Sequence, residues 1–170
     1  MKIWFVRHGE TEWNRTKRYQ GHSDISLNET GRRQAQETAA LLANEPLSAV
    51  YASDLSRAVE TARFVAQPHE LKVQRKPELR EIHFGLWEGL RYEQIMEKWA
   101  NELSLMYDHP EKGRAPEGEG FSDLAQRAGA ALMEIRKAHQ ETETIAVVAH
   151  GGTIRVLLCL LQGKPLQDLW

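Results

Sequence analysis

Two histidines in this chain are each followed directly by glycine, and each closes a run of apolar residues. His8 lies in "FVRHGETEWN", residues 5–14, behind Ile3, Trp4, Phe5 and Val6. His150 lies in "VVAHGGTIR", residues 147–155, behind "TIAVVA". Arg7 precedes the first histidine. Arg57 follows Ser53, which ends the weaker apolar stretch "LSAVYAS", 47–53. A lone histidine at a strand end is ordinarily solvated or hydrogen-bonded, but two in the same setting, with two arginines, suit phosphate chemistry. Arginines match a phosphate dianion in charge and in forked donor geometry. Glycines at 9, 151 and 152 let backbone approach a ligand without a Cβ in the way. A neutral imidazole can attack phosphorus when its other nitrogen is held as the N–H donor. A second imidazole, protonated, can stabilise charge on the transferring oxygens.

Metal binding is the rival use of histidine. It needs convergent ligands at set spacing, and neither H-x-x-x-H nor a Cys/His cluster occurs. The P-loop signature is absent too. His69, His109 and His139 sit in polar contexts and read as surface residues, while His22 and His83 read as rim of the site.

These groups meet only if the elements carrying them end together. Residues 2–6 and 144–149 read as strands buried on both faces, as in parallel sheets, and 47–53 as a third. Helical spacing joins Ala35, Ala39 and Leu42 behind a cap at Asn28. It recurs in Leu55, Val59, Ala62 and Ala66, and in Tyr92, Ile95, Met96, Trp99 and Leu103. Leu124, Ala128, Leu132 and Ile135 repeat it behind Ser122, a second cap, and a last helix covers about 152–162. Strands alternating with helices predict an α/β fold around a largely parallel sheet. Ligands of such sheets bind beyond the carboxyl ends of the strands, where both histidines and both arginines fall. "YDHPEKGRAPEGEGF", 107–121, reads as a loop rather than a domain linker.

The 170 residues fit one domain, 1–170, able to bury roughly 70% of its unfolded surface. A formal net charge of -2 offers no basic field for nucleic acid or an anionic membrane. The single cysteine, Cys159 in "VLLCLL", reads as a core residue, and one thiol excludes an internal disulfide. A reducing cytoplasm is the natural setting. Met1-Lys2 leads into a strand without the apolar stretch and cleavage site of a secretion signal. No run approaches the roughly 20 apolar residues of a membrane span.

"VRHGETEWN" resembles the signature R-H-G-[ED]-[ST]-x-x-N of the histidine phosphatase superfamily, also called phosphoglycerate mutase-like. Arg7, His8, Gly9, Glu10, Thr11 and Asn14 match it. Four further segments resemble the family in order: "YQGHSDISLNETGRRQA" (19–35), "YASDLSRAVETA" (51–62), "LREIHFGLWEG" (79–89) and "VVAHGGTIR". The resemblance implies a three-layer α/β/α fold and a phosphomonoester hydrolase working through a phosphohistidine on His8. It implies a phosphate pocket of Arg7, Arg57 and His150, and Glu81 as the acid that protonates the leaving oxygen. Asn14, Gly21 and Thr11 would line the phosphate site, and Gly151 would offer a backbone N–H. No metal or other cofactor is implied, because the arginines and His150 supply the positive charge.

Within the family, "PELREIHFGLWEG" (77–89) and "PEGEGF" (116–121) look most like the α-ribazole phosphatases of cobalamin biosynthesis. The alternatives are a phosphoglycerate mutase, a broad-specificity small-molecule phosphatase, and a phospho-ligand binding module without turnover. The mutases carry paired arginines after the Glu81-type segment. Here 92–120 holds only Lys98, Lys112 and Arg114 as strong bases. Segment 92–121 is expected to form a lid or insert over the site. Family members usually add a further strand after a segment like "GKPLQDLW", so a sheet edge or face is expected to be uncovered and the protein to be a monomer or homodimer.

Overall fold

Unbroken apolar runs become strands when both of their faces are covered. In the computed structural model, which describes residues 1–170, β1 spans Lys2–Arg7, β2 Leu47–Ala52, β3 Val73–Arg75 and β4 Thr144–Ala149. The helices are α1 (Glu12–Arg15), α2 (Glu29–Leu42), α3 (Ser56–Ala66), α4 (Tyr92–Asp108), α5 (Phe121–Lys137) and α6 (Gly151–Leu161). The strands form one sheet in the order β1-β4-β2-β3, and every pair is parallel. β1 is an edge strand whose one partner is β4.

β4 is central, and all of its residues are buried. Its alternate side chains serve two cores, as the two-residue strand period requires. Ile145 and Val147 pack with Leu124, Leu132 and Ile135 of α5 and Leu157 of α6. Ala146 and Val148 pack with Leu42 of α2 and Ala58, Ala62 and Val65 of α3. The architecture is therefore α/β/α in three layers. Cys159 belongs to the first core. No helix is long and apolar enough to cross a membrane.

Strand register sets the site. Arg7 pairs with Ala149, and Ala52 with Val148. The ladder runs one residue further, from His8 N–H to Ala149 O (3.1 Å) and from Ser53 N–H to Val148 O (3.0 Å). The chain thus leaves three adjacent strands abreast, at His8, Ser53 and His150.

Four details differ from expectation. Ser122 does not cap α5. The helix starts at Phe121, which is buried, and Asp123 reaches back to accept the Gly120 N–H (2.8 Å), while Ser122 Oγ donates to Glu111 O (2.9 Å). In α4 the backbone leaves helical geometry at Trp99 (φ -139°, ψ 43°), so its apolar stripe does not run straight. Ile95, Leu103 and Met106 are buried, whereas Tyr92 and Met96 are exposed. His139 is not a surface residue: its ring lies between Tyr51 Oη (2.9 Å) and Glu143 Oε1 (3.0 Å). His69 is half-buried with its Nε2 out of solvent, although His109 is exposed as expected.

The turn after β1 packs backbone to backbone on α2. A Cβ at Gly31 would overlap the Glu10 carbonyl, and a Cβ at Gly9 would overlap the Gly31 carbonyl. Neither neighbour is a flexible side chain. Gly31→Ala is expected to destabilise the fold by about 1–3 kcal/mol, the usual cost of overpacking. Urea unfolding checks it, and an unchanged midpoint would show that the two segments can separate freely.

Candidate active site

One cavity, about 600 Å³, is an apolar groove between α5 and α6 lined by Ala125, Gly129, Leu132, Met133, Leu160 and Leu161 among others. The polar groups converge elsewhere. A cavity of about 170 Å³ at the carboxyl edge of the sheet is walled by Arg7, His8, Asn14, Gly21, Arg57, Glu81, His150 and Gly151. Eight of the nine residues singled out for the site thus meet around one small volume. Thr11 is the exception. Its hydroxyl caps α1, accepting Asn14 N–H (3.1 Å), and lies 2.8 Å from Gln20 Oε1, so it is spent beneath the pocket wall.

His8 and His150 stand edge to face, ring centroids 5.0 Å apart. His8 Nδ1 lies 2.7 Å from Gly9 O. A carbonyl only accepts, so Nδ1 carries the proton and the lone pair is on Nε2. Burial, then Arg57, then Arg7, push the His8 pKa down to about 3 despite the Gly9 bond, which keeps the ring neutral. His150 is fully buried, and neither ring nitrogen has a partner. Burial first, then His8 and Arg57, hold its pKa well below the usual histidine value. The structure thus differs from the protonated His150 expected from sequence, because burial and the adjacent Arg57 both disfavour the charged ring.

Arg57 is fully buried at the start of α3. Its partners are carbonyls, Ser23 O (2.7 Å) and Gly21 O (2.8 Å), and its Nε has none. Burial pushes its pKa down, opposed by Glu81, Asp24 and Glu88. A buried guanidinium without a directly bonded carboxylate is costly unless an anion completes it. Arg7 lies over the start of α6, where a Cβ on Gly151 would sit 3.8 Å from Arg7 Nε. Gly21 has φ +52°, and a Cβ there would collide with the Glu88 carboxylate, so glycine is required to bring its carbonyl to Arg57. Asn14 Oδ1 accepts Thr11 N–H (3.1 Å), which fixes the amide on the pocket wall.

Glu81 caps α6 from 71 residues away. Oε2 accepts Gly152 N–H (3.0 Å), and Oε1 accepts those of Thr153 (3.1 Å) and Ile82 (3.0 Å). Of the first three N–H groups of α6, Gly151's is not taken by Glu81. Gly152 needs its missing Cβ, which would overlap Glu81 Oε1. His22 and His83 lie side by side, centroids 4.7 Å apart and tilted by 38°, and neither is on the cavity wall, although His22 Nε2 donates to Glu81 O (2.9 Å). Four wall residues carried no assignment from sequence: Arg18, Tyr19, Gln20 and Phe84. Their one signal was the "RYQG" stretch, which has no chemistry of its own until folded against Phe84 and Gly89.

The two buried histidines make stability depend on pH. A histidine whose folded pKa lies below its unfolded value binds fewer protons when folded. Stability is then intact above about 6.5 and is lost as pH falls towards the folded value, about 3 for His8. Each such group costs about 1.4 kcal/mol per pH unit in that window. Denaturant unfolding from pH 7 to 5 checks this, and His150→Asn should flatten the slope. An equal slope in the variant would show that the His150 pKa does not differ between the folded and unfolded chain.

The family model described as histidine phosphatase superfamily (branch 1) matches residues 3–170. The chain belongs to the histidine phosphatase superfamily. It is similar to phosphoserine phosphatase 1 of Hydrogenobacter thermophilus, 35% identical over 100% of this chain and 80% of that one. It is similar to phosphoglycerate mutase-like protein 4 of Arabidopsis thaliana, 40% identical over 92% of this chain and 69% of that one. The crystal structure of the α-ribazole phosphatase from Shigella flexneri superposes with a TM-score of 0.90 at 33% identity, covering 100% of this chain and 84% of that one. The three-layer sheet is thus the phosphoglycerate mutase-like fold, and the protein is a phosphatase of the phosphoric monoester hydrolase class, acting on phosphorylated small molecules.

Proposed function

We propose that this histidine phosphatase hydrolyses α-ribazole 5'-phosphate through a phosphohistidine on His8. His8 Nε2 attacks phosphorus as the ester P–O bond breaks, and Glu81 gives its proton to the departing oxygen. Water then attacks the phosphohistidine, its proton passes to Glu81, and the P–N bond breaks to release phosphate. Arg7, Arg57 and the Gly151 N–H hold the phosphoryl oxygens, and His150 takes up a proton as their charge is bound. The observation that carries this reading is the buried convergence of Arg57, His8 and His150 without a carboxylate bonded to the cation.

The cavity, about 170 Å³, accommodates a phosphoryl group and few further atoms. The remainder of a nucleotide-like ester must extend out of it, past the wall residues Arg18, Tyr19 and Phe84. Tyr19 and Phe84 stand edge to face, centroids 4.9 Å apart, an apolar surface suited to a flat ring. We assign residues 1–170 to one domain with 92–121 as its lid. Tyr107 of α4 supports this, since its hydroxyl lies 2.8 Å from that of Tyr19 on the wall. A mutase is the weaker reading, because Arg114 is engaged by Asp123 (2.7 Å) and Gly118 O (2.9 Å) and forms no arginine pair.

The test is a substrate panel of α-ribazole 5'-phosphate, O-phosphoserine and 3-phosphoglycerate. The highest kcat/KM with phosphate release is expected for α-ribazole 5'-phosphate. Preference for either carboxylated ester would overturn the substrate assignment, and isomerisation of 3-phosphoglycerate without release would establish the mutase.

A further inference from the structure

The segment that carries Glu81 has little regular structure of its own. Residues 76–89 contain only two short 3-10 turns, Pro77–Leu79 and Gly85–Trp87. Carbonyls in such a stretch need partners from outside it. One side chain serves three of them. Arg127 of α5 donates through NH1 to Glu78 O (2.7 Å) and Arg80 O (2.8 Å), and through NH2 to Glu81 O (2.7 Å). Its remaining two donors form a fork on Glu119, from Nε to Oε1 (2.9 Å) and from NH2 to Oε2 (2.8 Å). All five guanidinium donors are used, which is the full inventory of the group.

Glu119 is tied back to the same segment. Its Oε2 accepts His83 N–H (2.9 Å), and its own N–H donates to His83 O (2.8 Å). Leu86 N–H donates to Pro116 O (3.0 Å), so loop 115–119 and strip 83–86 are joined backbone to backbone. Burial pushes the Glu119 pKa up, but Arg127 and the His83 N–H outweigh it and the net direction is down. The Glu81 carbonyl accepts a second donor, His22 Nε2 (2.9 Å), which fills both of its lone pairs.

We infer that Arg127 and Glu119 are positioning residues for the catalytic acid. They fix the Glu81 backbone through its carbonyl and its neighbours', alongside Thr153 Oγ1 of α6 on Arg80 O (2.9 Å), and join the 115–120 loop to it. Neither lines the phosphate cavity. The inference rests on the reading of Glu81 as leaving-group acid. It also says that any exchange of the 92–121 segment must keep Glu119, or the acid is lost along with the lid.

The experiment measures kcat for an alkyl ester, glycerol 2-phosphate, and for 4-nitrophenyl phosphate, with the inhibition constant of inorganic phosphate. The variants are Arg127→Lys and Glu119→Gln, each alone and with Glu81→Gln. Lysine keeps the charge but cannot serve five acceptors. Misplacement of a catalytic group by about 1 Å costs on the order of 10²-fold. A loss of about that size is expected on the alkyl ester, with less than about tenfold on the nitrophenyl ester. The phosphate inhibition constant should hold. In the Glu81→Gln background either change should cost little more, since groups acting as a unit are not additive. If Arg127→Lys does not fold, Glu119→Gln carries the test, because it leaves the guanidinium and its three carbonyl bonds in place. Equal losses on both esters, with Glu81→Gln itself selective, would reduce the pair to a structural role and leave the acid assignment standing. If Glu81→Gln shows no selectivity, the acid assignment falls and the inference falls with it.

Discussion

His8→Ala is expected to abolish turnover and the acid-labile phosphoenzyme together. The size should be near the 10⁶-fold order that follows removal of the nucleophile from enzymes with covalent intermediates. The argument is geometric. Gly9 O fixes the proton on Nδ1 and leaves Nε2 as the one nucleophilic lone pair. A pKa of about 3 means that this lone pair is free at neutral pH rather than protonated. No serine or threonine hydroxyl and no cysteine lines the cavity to replace it. Alanine leaves Arg7, Arg57 and Gly151 unchanged, so phosphate should still bind as an inhibitor. Acid-quench experiments with labelled substrate check the covalent step. A labile phosphoenzyme that persists in His8→Ala would place the nucleophile on His150, the other neutral imidazole in the cavity.

The fold was largely legible because its strong signals are local. "KIWFV" and "TIAVVA" are apolar throughout, and a strand buried on both faces has few other ways to look. β3 has no such signal because it is three residues long, with Gln74 and Arg75 exposed, and only pairing to β2 defines it. The starts of α3 and α6 carry no local cap signal, because the capping group comes from afar. Asp24 serves Ser56 at the start of α3, 32 residues on, and Glu81 serves α6. A local scan for Ser or Asp before an apolar run cannot see either.

The site divides in the same way. Arg7, His8 and His150 were found from strand ends and glycines, because register alone brings them abreast. Glu81 came from resemblance to the family, since a lone carboxylate in an irregular loop has no periodicity to give it away. Thr11 matched the motif as a phosphate contact, but α1 and Gln20 use its hydroxyl first. Arg127 had no signal at all. It is one more charged residue on the polar side of a helical pattern until the loop carbonyls of residues 78, 80 and 81 fold onto it.

Glu81→Gln is expected to slow hydrolysis of alkyl esters by about 10²–10⁴-fold, the usual contribution of a general acid. The departing alkoxide is a strong base and needs the proton in the transition state. The loss should shrink for a nitrophenolate, which departs unaided. Oε2 is the oxygen suited to deliver the proton, because Gly152 N–H is its one partner, whereas Oε1 accepts from both Ile82 and Thr153. The amide also brings a cost unrelated to the proton. If its oxygen keeps the two partners of Oε1, its NH₂ faces the Gly152 N–H, donor against donor. That cost falls on both esters alike, so the ratio of the two losses, not either loss alone, measures acid catalysis. Equal losses, with phosphoenzyme formation limiting for both esters, would move the role to another carboxylate. Glu119 is then a poor substitute, since Arg127 holds both of its oxygens. Glu10, which shares the outer polar pocket with Arg7 and His8, becomes the next residue to test.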